Sequence, residues 1–234
     1  MNFKPENYEN FFNWTVTYRQ DSTVSIPYGK IERIKKHPDG KGLEKMINVF
    51  GEKHKHLAEK GVKKVKIAWM VSNCLSESNR EGFVEALKTH IDVDVFGPCY
   101  KDSKKCDKSD SESCWTKISK EYHFYLAFEN SLCRDYVTEK FWEPLRRNIV
   151  PIVLGGANYS KIAPYRSFID VIGLGLENDP ESLAKMLTDL MENKAKYASY
   201  FWWKNYYAIK NSAKDRASDL CKVCQLLHDV DNKV

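Results

Sequence analysis

No run of about 18 uncharged apolar residues occurs in the 234-residue chain, so the sequence offers no membrane-spanning helix. Met1-Asn2-Phe3-Lys4-Pro5-Glu6 lacks the charged, apolar and small-residue order of a signal peptide, so the chain as written carries no export address. Neither common Gly-rich phosphate loop is present, which argues against a P-loop enzyme and against a GxGxxG dehydrogenase. No Cys or His pair has a second pair at zinc-finger spacing, so no metal site is expected. Nucleic-acid motifs, internal repeats and low-complexity segments are also missing, and no nucleic-acid partner is expected.

What is present suits one principal globular domain. The chain is 42% hydrophobic and 13% aromatic, enough to bury one good core. The formal net charge of +5 arises locally, because residues 30–66 hold 12 Lys or Arg against 5 Asp or Glu. With helical spacing of Leu43, Met46, Ile47 and Phe50 inside it, that segment reads as the solvated face of an amphipathic helix. Seven cysteines, with the sequons Asn13-Trp14-Thr15 and Asn158-Tyr159-Ser160, suggest the oxidising lumen of the secretory pathway and glycosylation at Asn13 and Asn158.

Residues 1–40 read as a connecting segment, irregular up to about residue 30 with room for one short strand; 41–224 read as the domain and 225–234 as a frayed tail. Within the domain, strands are predicted at Val65 to Val71, Asp92 to Gly97, Phe124 to Phe128 and Ile149 to Leu154, with a fifth at Phe168 to Ile172. Helices are predicted after the first strand (Phe83, Val84, Leu87), at about Thr138 to Arg147 and at Pro180 to Met191. The last is announced by Asp179-Pro180-Glu181. A Cys-rich loop is expected from Pro98 to Ser113, and the aromatic run Tyr197 to Tyr207 reads as a packing helix. Strands alternating with helices define a Rossmann-like, doubly wound parallel α/β fold.

Such sheets bind ligands beyond the carboxyl ends of their strands, where helix N-termini favour anions. Ser72, Asn73 and Arg80 follow strand one; Glu129, Asn130, Tyr136, Glu139 and Lys140 follow strand three. Lys140 and Glu139 open a helix, where an ammonium meets a phosphate and a carboxylate accepts from ribose hydroxyls. Arg80 approaches the same phosphate as a forked donor. Singly, each is an ordinary surface or salt-bridge residue, and only their convergence at one sheet edge makes a site.

Phe124-Tyr-Leu-Ala-Phe-Glu-Asn-Ser131, Asp135-Tyr-Val-Thr-Glu-Lys140 and Val150-Pro-Ile-Val-Leu-Gly155 resemble the signature of the alpha-1,3-fucosyltransferases, glycosyltransferase family 10. Phe12 to Ser22, Pro27-Tyr-Gly29 and Val71-Ser-Asn73 with Arg80 match in order, so the resemblance runs from about Asn10 to Cys224. The cysteine pattern resembles the invertebrate and core-type branch.

The resemblance implies the C-terminal, donor-binding half of a two-domain GT-B enzyme that moves L-fucose from GDP-fucose to an N-acetylglucosamine hydroxyl of a glycan, with inversion. It implies that Arg80 and Lys140 hold the diphosphate, Glu139 the ribose, Tyr136 and Asn130 the nucleoside or fucose, and Tyr28 and Ser72 further donor groups. No metal cofactor is required, although Mn2+ or Mg2+ stimulates such enzymes. The catalytic base belongs to an N-terminal acceptor domain, and the membrane anchor of a Golgi enzyme precedes that. Neither is found in this sequence, so a truncated, non-catalytic GDP-binding fragment is the alternative. The terminal Cys221 and Cys224 would bridge to that other domain. Cys74 and Cys133, each a few residues beyond a strand end, suit a bridge between neighbouring turns; the pairing of Cys99, Cys106 and Cys114 stays open.

Overall fold

Three apolar runs of the sequence are buried on both faces and form the middle of one parallel sheet. The computed structural model of the chain describes residues 12–59, 67–104, 111–211 and 221–228. Its strands are β1 (Val16–Thr17), β2 (Val24–Ser25), β3 (Gly29–Arg33), β4 (Ile67–Met70), β5 (Val93–Phe96), β6 (Phe124–Phe128), β7 (Val150–Leu154), β8 (Ile169–Asp170) and β9 (Tyr207–Asn211). Its helices are α1 (Gly40–Lys53), α2 (Arg80–Lys88), α3 (Ser111–Glu121), α4 (Glu139–Arg146), α5 (Tyr159–Ile162), α6 (Pro180–Glu192) and α7 (Lys194–Ala198).

Strands β4 to β8 pair in parallel in the spatial order β5-β4-β6-β7-β8. The chain steps outward from β4 to β5 and then crosses back to build β6 on the other side of β4. The winding therefore reverses between β4 and β6, and the crevice beyond their carboxyl ends is where a doubly wound sheet takes its ligand.

Alternation along β6 builds two cores. Phe124, Leu126 and Phe128 pack with Val84 and Leu87 of α2 and with Leu183 and Leu187 of α6. Tyr125 and Ala127 pack on the opposite face with Ile118 of α3 and with Phe141, Trp142 and Leu145 of α4. All five β6 residues are buried, each large one stabilising the fold by roughly 1.5–3 kcal/mol. A strand covered by helices on both sides needs no polar face, which explains its unbroken apolar sequence.

The predicted strands and helices of the sheet are present, with bounds differing by a few residues, and Val65 and Lys66 lie outside the described residues. Helix α3 was not anticipated. Its first residues take up the end of the expected Cys-rich loop, and Cys114, Trp115 and Ile118 turn inward at helical spacing. The aromatic run is shorter than expected as a helix: α7 passes into a 3-10 turn, Ser199–Asn205, and the chain then extends as β9. That strand pairs antiparallel with β3, Ile31 opposite Ile209. The tail expected to fray from 225 is helical through 228, and 229–234 lie outside the described residues. Among the described residues no helix is long and apolar enough to cross a membrane.

Candidate functional site

A crevice of about 370 Å³ opens at the reversal point, lined by Val71, Ser72, Asn73 and Arg80 from the β4 side and by Asn130, Glu139, Lys140 and Glu143 from the β6 side. Its volume falls within the range of small-molecule sites. Gly97 and Pro98 close one flank, and Trp115 and Tyr125 form an aromatic floor. The flank is tied down covalently, because Cys74, beyond β4, is bonded to Cys99, beyond β5.

The β6 side is organised by a buried carboxylate. Glu129, immediately after β6, is fully buried. Its Oε1 accepts the Thr138 backbone N–H at 2.7 Å, and Oε2 accepts the Thr138 hydroxyl at 2.8 Å. Thr138 is the N-cap of α4, so one side chain anchors the start of the helix that carries Glu139 and Lys140. Lys140 Nζ in turn donates to Thr138 Oγ1 at 2.9 Å and to Glu139 at 3.0 Å, and lies 3.6 Å from Glu129 Oε2. Burial pushes the Glu129 carboxyl above the usual carboxylate range, against the opposing pull of Lys140 and Thr138.

Arg80 forms the opposite wall. Its side chain is 1% exposed, and its guanidinium donates to the Phe128 carbonyl at 2.8 Å, the Asn73 carbonyl at 3.1 Å and Glu81 at 3.1 Å. Three of its five N–H groups are thus used, two of them in joining the strand ends and the third on Glu81. Asn130 brings a different resource. Its buried Oδ1 has no hydrogen-bond partner, an orphan acceptor at the crevice wall.

Of the sequence-predicted residues, Ser72, Arg80, Asn130, Glu139 and Lys140 line this crevice together. Tyr28 and Tyr136 do not. Tyr136 packs against Tyr18 in the turn between β6 and α4, ring centroids 5.2 Å apart. Burial first, then the charge of Glu129, raises its phenol pKa. The expected Cys74–Cys133 bridge is incorrect: Cys74 joins Cys99, and Cys133 is a free, exposed thiol. β4 lies between β5 and β6, so its turn borders both of their turns, and the bond formed on the β5 side. Cys221 and Cys224 are also free, Cys114 is disulfide-bonded, and Cys106 lies outside the described residues. Asn13 and Asn158 are both exposed.

Sequence reasoning gave no role to Glu129 or Thr138. The signal for Thr138 was available, since a threonine directly before an acidic first turn is an ordinary helix N-cap. The burial of Glu129 had no local signal, because it depends on Thr138 folding back over the strand end.

Fold and crevice together define a doubly wound α/β domain with a polar crevice at the reversal point of its sheet. The family model described as "Glycosyltransferase family 10 (fucosyltransferase) C-term" matches residues 60–234. Alpha-(1,3)-fucosyltransferase C of Drosophila melanogaster is 36% identical over 94% of this chain and 50% of its own length. Glycoprotein 3-alpha-L-fucosyltransferase A of the same organism is 37% identical over 93% of this chain and 39% of its own length. The chain therefore belongs to glycosyltransferase family 10, the fucosyltransferases. It spans half or less of the length of these relatives. A crystal structure of an alpha1,3-fucosyltransferase with GDP-fucose shares the fold, at a TM-score of 0.50 and 22% identity over 72% of this chain and 46% of that one.

Proposed function

We propose that this chain is the GDP-fucose-binding part of an inverting alpha-1,3-fucosyltransferase that moves L-fucose to an N-acetylglucosamine hydroxyl of a glycan in protein glycosylation. The observation that carries this reading is the meeting of the Arg80 guanidinium, the Lys140 ammonium and the Glu139 carboxylate in one crevice at the sheet's reversal point. The names of the relatives agree with it. In this reading Lys140 and Arg80 receive a diphosphate, Glu139 accepts from ribose hydroxyls, and Asn130 Oδ1 accepts from the nucleoside or sugar. Tyr28 and Tyr136 would reach the donor from the rim.

In the transfer, the acceptor oxygen bonds to fucose C1 as the bond from C1 to the phosphate oxygen breaks, and the acceptor proton passes to a carboxylate of the acceptor domain. Negative charge grows on the departing GDP, and fixed cations at its phosphates stabilise that change. Mn2+ or Mg2+ would stimulate without being a fixed part of the site. The setting is the Golgi lumen, with Asn13 and Asn158 as the glycosylated residues.

Calorimetric titration of GDP into the wild type and Lys140→Ala, beside a fucose-transfer assay, tests the reading. Micromolar binding that weakens about tenfold or more in the variant is expected, the scale of one charge-assisted contact. No binding by the wild type would overturn the site; binding without transfer would favour the non-catalytic fragment.

A further inference from the structure

The two cations of this crevice are surrounded by carboxylates. Lys140 and Arg80 face Glu129, Glu139, Glu81 and Glu143. Glu81 is paired to Arg80, and Glu143 is drawn off by Arg146 and Arg147. Lys140 is left with two carboxylates, and they are not equivalent. The Glu139 side chain is 60% exposed and free to leave the ammonium for a ligand hydroxyl, whereas Glu129 is immobilised below it at 0% exposure.

The buried carboxylate reaches the ammonium through one hydroxyl. Thr138 Oγ1 donates to Glu129 and accepts from Lys140 Nζ, so its single proton is committed to the carboxylate and its lone pair is turned toward the lysine. With Glu129 protonated that polarity loses its cause, and the ammonium loses both its oriented acceptor and its counter-charge 3.6 Å away. A long, flexible lysine left free to choose among rotamers loses several-fold in affinity for a fixed ligand.

We propose that Glu129 is a positioning residue of the donor site: acting through the Thr138 hydroxyl, its carboxylate holds the Lys140 ammonium where the diphosphate meets it. The inference rests on the donor reading above and adds to it a residue that need not touch the nucleotide. The titratable groups around Glu129 are Lys140 and Glu139 on α4, Tyr159 on α5, Tyr136 on the intervening turn and Tyr125 on β6. Among these groups the tyrosines are all displaced to higher pKa and stay neutral on the acid side.

GDP affinity of the full chain, measured by calorimetry from pH 4.5 to 8, tests the proposal. In the wild type it is expected to be level near neutrality and to weaken as the pH falls and Glu129 takes up a proton. Glu129→Gln, which copies the protonated shape, is expected to bind about tenfold more weakly near neutrality and to lack that part of the acid fall. Thr138→Val breaks the relay from the other side and should reproduce the loss even if Glu129→Gln folds poorly, while Thr138→Ser keeps the hydroxyl and should bind as the wild type does. A folded Glu129→Gln with wild-type affinity and an unchanged pH profile overturns the positioning role while leaving the donor site standing. An absence of GDP binding by the wild type overturns both.

Discussion

The guanidinium of Arg80 donates to the carbonyl of Phe128 across 48 residues of sequence, joining the first residue of α2 to the last residue of β6. The bond spans the reversal point of the sheet, so the same side chain that lines the crevice also holds its two sides at a fixed separation. Removing it leaves the Phe128 and Asn73 carbonyls short of a donor and Glu81 without its cation. Arg80→Ala is therefore expected to lower the unfolding free energy by about 3 kcal/mol, the scale for breaking a buried charged network. Denaturant unfolding measures this, and a loss below about 1 kcal/mol would show that the contacts are not structural.

Residues 74 and 99 are 25 apart in sequence and covalently joined, whereas Cys133 is free. Cys74→Ser with Cys99→Ser is expected to cost about 3 kcal/mol through the wider unfolded ensemble. Cys133→Ser, at an exposed position, should change stability by less than about 0.5 kcal/mol. A thiol count of the native protein, together with thermal unfolding of the two variants, checks both statements.

Asp170, at the end of β8, has a carboxyl raised above its usual range by burial, against backbone N–H groups of Gly173 and Ile172 that pull it down. A carboxyl raised on folding costs stability at pH above its folded value, and the cost vanishes below its unfolded value. Asp170→Asn should accordingly have the higher Tm at pH 7 and lose that advantage as the pH falls through the carboxylate range. The difference between the two Tm profiles isolates this group from every other titration.

Asp179 caps α6 by accepting the Ser182 N–H at 3.0 Å. Asp179→Ala is expected to cost about 1 kcal/mol, seen as a shifted denaturant midpoint with an unchanged slope.

The cap at Asp179 was legible in the sequence because everything it needs lies within four residues. The same holds for β6, whose five apolar residues carry their own evidence of burial. Helix α3 was legible in principle, since Cys114, Trp115, Ile118 and Tyr122 recur at helical spacing, but cysteines and polar residues drew attention to a loop. Strand β9 has the alternation of Tyr207 and Ile209 with Ala208 and Lys210, yet its partner, β3, lies far upstream, and nothing local marks the pairing. The site divides in the same way. Lys140 and Glu139 were readable as a helix start and Arg80 as another. The burial of Glu129, the choice of Cys99 over Cys133, and the packing of Tyr136 on Tyr18 all depend on which elements become neighbours in space.

The ribbon of β3 and β9 has a kinetic consequence. Gly29 pairs with Asn211, so the ribbon closes a loop of roughly 180 residues that holds the entire five-stranded sheet. Bringing such distant segments together is entropically slow unless intervening structure has already drawn them close. During synthesis, residues 29–33 would leave the ribosome well before their partner exists and wait as an unpaired edge. The sheet would thus assemble first and the ribbon last, like a clasp, which makes the interval before closure the time at which a chaperone has most to protect.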